Sequence, residues 1–266
     1  MFQTVEIADL DAPEVAIYSK LTEATVRREN AFIAESVPAI EAALNAGHSP
    51  ISMLMERKYV EGKAHDTAIR CDVPVYTATN STLAQLTGYH LTRGVLCAFK
   101  RKTLAKPSEI LPGTSRICIL EDIVDSTNIG ALFRSAAALG MDAVLLSPRC
   151  CDPLCRRSIR VSMGAVFKVP WAYLDNDFPG TVSALHENGF KLIAMALTPK
   201  TISIDDEQLS KLDKLAVFLG NEGSGLSQET INACDYAVKI PMAHGVDSLN
   251  VATAGAVAFW ELRRKP

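Results

Sequence analysis

Along the first hundred positions, apolar residues come in short bursts separated by stretches of helical spacing. Ala31–Ala34, Ile51–Met55, Val73–Tyr76 and Val95–Phe99 predict short buried strands. Between the first two, Val37, Ile40, Ala43 and Leu44 recur at helical intervals and end before Gly47, as in a glycine-terminated helix. Residues 57–70 and 79–87 predict two further helices. Strands alternating with helices imply a small layered α/β domain.

Residues 101–114 carry two prolines and a glycine and lack periodicity, which predicts a linker and a boundary near residue 106. The expected domains are therefore 1–106 and 107–266. A second α/β series follows: a strand at Arg116–Leu120, a helix at Thr127–Leu139 capped by Thr127, and a strand at Asp142–Leu146. Further strands are predicted at 165–169, 191–196, 214–219 and 237–240. A last helix is predicted from about Ser248 to Arg263, with Leu249, Ala252, Ala256 and Trp260 as its apolar face. Its small residues suit close packing, within the chain or between subunits.

With 48% hydrophobic and 21% charged residues, the 266-residue chain has the balance of a globular protein rather than a disordered one. No run reaches 18 apolar residues and the N-terminus is acidic, so no membrane span and a cytoplasmic location are expected. The seven cysteines are then reduced thiols. Cys150, Cys151 and Cys155 do not match a zinc pattern, so no metal is expected, and Cys118 belongs to a strand core. Net charge is −3: residues 1–106 hold 12 Lys/Arg and 12 Asp/Glu, residues 107–266 hold 15 and 18. Neither half is basic, so a polyanion would need a local patch such as Lys100, Arg101 and Lys102 with Lys106.

Three segments place glycines and polar residues at strand ends, where open α/β sheets bind ligands. The first runs from Glu121 to Arg134: Ile129, Leu132, Phe133 and Ala136 form a buried helical stripe, leaving Arg134 off it and Asn128 near the helix mouth. The second, Val217–Leu226, ends a strand in a turn with glycines at 220, 223 and 225. It lacks the Lys-Ser/Thr of a phosphate loop and the glycine order of a dinucleotide fold. The third runs from Val238 through His244 to the final helix. Taken singly, each also reads as an ordinary cap, turn or loop.

Together, in this order, the segments resemble the three motifs of the SpoU (TrmH) family of RNA ribose 2′-O-methyltransferases, in the SPOUT superfamily. Asn128–Arg134 resembles the first motif, Leu219–Leu226 the second and Ile240–Val251 the third. The resemblance implies a knotted parallel-sheet methyltransferase domain (a trefoil knot), preceded by a small α/β RNA-binding domain. It implies S-adenosylmethionine as cofactor, ribosomal or transfer RNA as partner, with ribosomal RNA preferred, and a homodimer. The cofactor residues it implies are Thr198, Leu219, Gly220, Asn221, Gly223, Ile240, Met242, Ser248 and Leu249. The catalytic set it implies is Arg134, with Asn128, Glu222, Ser248 and Asn250 positioning it, the ribose or the cofactor. Arginine stays protonated, so orienting the hydroxyl and stabilising negative charge suit it better than acting as a base. A non-catalytic RNA binder on the same fold is the alternative, although it would be expected to have lost these polar residues.

Overall fold

The computed structural model describes residues 2–7, 9–19, 23–88 and 94–264, without the side chains of 23–25. It contains two compact units, one of residues 1–103 with 154–168, the other of 104–153 with 169–266. The chain therefore visits the first unit twice. A boundary at 106 misses this: residues 154–168 lie within the second sequence block and pack with the first.

The first unit holds β1 (Thr4–Glu6), β2 (Ala31–Glu35), β3 (Pro50–Glu56), β4 (Val75–Ala78) and β5 (Val95–Lys100). They form one mixed sheet in the order β1-β4-β3-β5-β2. All five residues of β2 are buried although it is an edge strand. The helix Arg156–Val161 packs against β2, and Phe167 meets Phe32 with ring centroids 5.5 Å apart. The returning segment thus covers an edge that would otherwise be open to pairing. The helix expected over 57–70 is two short helices, Arg57–Val60 and His65–Cys71, separated by a turn at Gly62.

The second unit holds β6 (Arg116–Leu120), β7 (Ala143–Leu146), β8 (Trp171–Tyr173), β9 (Lys191–Met195), β10 (Ile202–Ser203), β11 (Leu215–Leu219) and β12 (Tyr236–Lys239). All pair in parallel, in the order β10-β12-β9-β11-β6-β7-β8. The near-continuous apolar sequences of β6, β7 and β11 fit strands buried on both faces, and Cys118 lies fully buried in β6. After β6 the chain moves to β7 and β8; after β11 it moves to β12 on the other side. The boundary between β6 and β11 is therefore the topological switch point of the sheet.

Several local expectations change. Residues 165–169 are not a strand: Gly164, at φ 78°, leads into a 3-10 turn at Ala165–Phe167, and the strand begins beyond Pro170, at Trp171. The helix Ser126–Leu139 is capped by Asp125, whose Oδ1 accepts from Thr127 N at 2.6 Å, not by Thr127. The last helix is Val251–Glu261. Its cap is Asn250, whose Oδ1 accepts from Ala252 N at 3.0 Å, so Ser248 lies before the helix. The buried face of that helix is Val251, Gly255, Ala258 and Phe259. A Cβ at Gly255 would come within 2.4 Å of Leu132, so the small residue serves packing inside this unit. Of the row read as apolar from sequence, Trp260 is 55% exposed and Ala252 and Ala256 are half-buried.

Candidate functional site at the switch point

A cleft of about 680 Å³ opens at the carboxyl ends of β9, β11 and β12, within the usual range for small-molecule sites. Its apolar walls include Met195, Leu219, Val238, Ile240 and Leu249. Gly220, Asn221, Met242 and Ser248 line it as well. Two residues of the expected cofactor set are not among its lining. Thr198 is turned to Thr201, 3.1 Å between hydroxyls, and Gly223 donates to Asn221 Oδ1 at 2.8 Å. Sequence reasoning missed the walls from Met195 to Leu197 and at Leu226, Ile231 and Ala254. Nothing in their apolar side chains distinguishes them from core.

The turn after β11 is built by Asn221. Its Oδ1 accepts from Gly223 N and its carbonyl accepts from Gly225 N, both at 2.8 Å. Its Nδ2 donates to the carbonyl of Asp122 at 2.8 Å, tying the turn to the loop after β6. Asp122 itself adopts φ 55° and accepts from Ser147 Oγ at 2.8 Å. Asn221 therefore shapes the cleft with a side chain already engaged. Gly220 is required by contact: a Cβ there would lie 2.3 Å from the Gly225 carbonyl carbon.

The switch point brings three of the expected catalytic residues together. Asn250 Nδ2 donates to Glu222 Oε1 at 2.9 Å and to Asn128 Oδ1 at 3.1 Å. Asn128 Nδ2 donates to the same Glu222 oxygen. Each comes from a different motif, and they close a triangle between the helix start after β6, the turn after β11 and the cap of the last helix. Asn128 is buried, whereas Glu222 and Asn250 are exposed. Arg134 does not join them. It lies about 9 Å further along the helix axis by helical rise, is exposed, and has no hydrogen bond or ion pair among the described residues. Ser248 sits on the cleft wall rather than in the triangle.

A cleft at the carboxyl ends of the strands of an all-parallel sheet, without a phosphate-cradling loop, is the setting of a group-transfer enzyme that accepts a compact cofactor. The model of the SpoU rRNA Methylase family matches residues 115–260, and this chain belongs to that family; it is an RNA methyltransferase. A Mycobacterium bovis protein described as an uncharacterized tRNA/rRNA methyltransferase is 36% identical over 234 residues, which is 87% of this chain and 80% of that one. The fold matches the AdoMet-bound rRNA methyltransferase from Sinorhizobium meliloti at TM-score 0.84, with 23% identity and 98% of each chain covered. It also matches an RNA 2′-O ribose methyltransferase at TM-score 0.78, with 21% identity and 98% of each chain covered. Among the described residues, no helix is long and apolar enough to cross a membrane.

Proposed function

We propose that this chain transfers a methyl group from S-adenosylmethionine to a ribose 2′-hydroxyl of RNA. The observation that carries the reading is the Asn128–Glu222–Asn250 triangle beside the 680 Å³ cleft. The structurally similar proteins described as AdoMet-bound and as a 2′-O ribose methyltransferase favour the same cofactor and the same acceptor atom.

The cleft suits the cofactor. Leu219, Ile240 and Leu249 offer apolar contact to a flat base, and Gly220 lets the turn that borders the cleft close on Gly225 and Leu226, where a Cβ would clash. Met242 and Ser248 line the same cleft. When bound, the cofactor supplies an electrophilic sulfonium methyl. The protein must then orient a hydroxyl and accept its proton. Glu222 Oε1 is occupied by two amide donors, which fixes the carboxylate and leaves Oε2 as the acceptor we assign to the ribose hydroxyl. Arg134, exposed on the same helix as Asn128, would hold a substrate phosphate or offset negative charge on the ribose oxygen.

The remaining parts of the reading are a trefoil knot in the second unit, RNA capture by the first, a cytoplasmic location, ribosomal RNA as the preferred substrate, and a homodimer. The dimer is supported by the last helix, where the small, half-buried Ala252 and Ala256 leave room for a close neighbour and Trp260 stays exposed. Calorimetric titration with S-adenosylmethionine tests the cofactor assignment. Stoichiometric binding is expected for the wild type and none for Gly220→Ala; a wild type that does not bind contradicts it.

A further inference from the structure

The division of the chain exposes a charge asymmetry that the linear sequence hides. Unit one carries 15 Lys/Arg against 12 Asp/Glu, net +3, while unit two carries 12 against 18, net −6. The returning segment 154–168 makes the difference: it contributes Arg156, Arg157, Arg160 and Lys168 and no acidic residue. Without it unit one would be net −1.

These cations fall along one edge of the sheet. Arg156 pairs with buried Glu35 at the end of β2, 2.8 Å apart, so one charge of the segment is neutralised internally. Arg157 is exposed and Arg160 half-buried on the helix that covers β2. The segment ends with Phe167 against Phe32 and His48, placing exposed Lys168 towards the start of the same strand. There the β5 end supplies three more cations. Lys100 pairs with Ala31 in register, Arg101 Nε donates to the Ala31 carbonyl at 2.8 Å, and Lys102 Nζ donates to the Ala46 carbonyl at 2.7 Å. Arg27 and Arg28, both exposed, end the helix that leads into β2. Glu29 is the one exposed carboxylate in these three stretches of chain.

We propose that this basic band, organised by the returning segment along β2, is the surface that holds the phosphate backbone of RNA. The inference rests on the RNA-methylating reading above and assigns its capture step to named residues. A polyanion gains from releasing counterions over clustered cations, and the net +3 of unit one favours that gain more than the net −6 of unit two. Two of the cations are held to backbone carbonyls, so the band keeps its shape without bound RNA. Phosphate contacts of this kind position RNA without reading its sequence.

The test uses the full chain and deproteinised bulk ribosomal RNA, with binding followed by filter retention over a series of KCl concentrations. Three proteins are compared: the wild type, the double variant Arg160→Glu with Lys168→Glu, and the unit-two control Lys211→Glu. A milder pair, Arg160→Gln with Lys168→Gln, guards against misfolding, and thermal midpoints are measured for all. The expected result is at least a tenfold loss of affinity for the double reversal, a smaller loss for the glutamine pair and none for Lys211→Glu. The salt slope should fall by roughly 0.7 per contact removed. Folded charge-reversal protein with wild-type affinity and slope overturns the band while leaving the RNA reading intact. A wild type that fails to bind RNA at low salt overturns both.

Discussion

The side-chain amide of Asn250 donates to the carboxylate of Glu222 at 2.9 Å, joining the cap of the last helix to the turn after β11. The same nitrogen reaches Asn128 Oδ1 at 3.1 Å, so one residue fixes two others across the switch point. Asn250→Ser keeps a side chain able to cap the helix but is too short to bridge. Its turnover should fall on the order of a hundredfold, as expected when a positioning contact is lost, with the thermal midpoint close to wild type. Steady-state kinetics with unchanged kcat would remove the bridge from the active arrangement.

Arg134 stands apart from the triangle, exposed and without a partner among the described residues. Arg134→Ala should therefore leave the unfolding midpoint unchanged. If the guanidinium meets the RNA, kcat/KM should fall by about 10²–10³, the scale of losing one charge-stabilising donor. Normal turnover in the variant would exclude Arg134 from the reaction.

Arg116 is used quite differently. It is 5% exposed and donates to four carbonyls, those of Leu262, Ser115, Asp213 and Leu212, at 2.6–3.0 Å. It pins the end of the last helix to the start of β6 and the loop before β11. Arg116→Met would leave those acceptors unmatched and should cost about 3 kcal/mol in denaturant unfolding. A loss below about 1 kcal/mol would mean that water replaces the guanidinium.

His48 gives unit one an acid sensitivity. Its ring packs edge-on against Phe32 and Phe167, with centroids 5.0 and 5.3 Å away, and its Nδ1 is buried without a partner. Burial, and then the nearby Lys102 charge, lowers its pKa below the usual 6.5. The folded state therefore resists a proton that the unfolded chain accepts. This contribution to stability is complete above pH 6.5 and declines as pH falls from 6.5 towards the lowered folded value. Denaturant titrations between pH 5 and 8 should show that decline in the wild type and a flatter profile in His48→Gln. Identical profiles would show that His48 is not the group responsible.

Strand periodicity located β2, β3, β4, β5, β6, β7, β9, β11 and β12 to within a few residues because each contains a run of apolar residues. It failed at 165–169, where a similar run, Ala165–Phe167, is a turn packed on unit one; apolar character records burial and not conformation. The return of 154–168 was equally hidden, since Arg156 finds its partner Glu35 across 121 positions of sequence. Asn128, Glu222 and Asn250 were legible as a set through the order of their motifs, but their mutual bonds needed the sheet order that makes β6 and β11 neighbours. The last helix is legible, with Gly255 among the small residues that allow close packing, but its buried face is rotated: Val251, Ala258 and Phe259 pack beside Gly255, while Ala252 and Ala256 are half-buried and Trp260 is exposed.

Methyl transfer to the ribose 2′-oxygen is the reaction on which every assignment above converges. The most direct measurement incubates the protein with methyl-labelled S-adenosylmethionine and unmodified ribosomal and transfer RNA, then identifies the labelled nucleoside by mass spectrometry. The predicted result is label on a ribose 2′-oxygen, in ribosomal RNA in preference to transfer RNA, abolished in Gly220→Ala and strongly reduced in Glu222→Gln. Label on a base, or none on either RNA from a protein that binds the cofactor, would contradict the account.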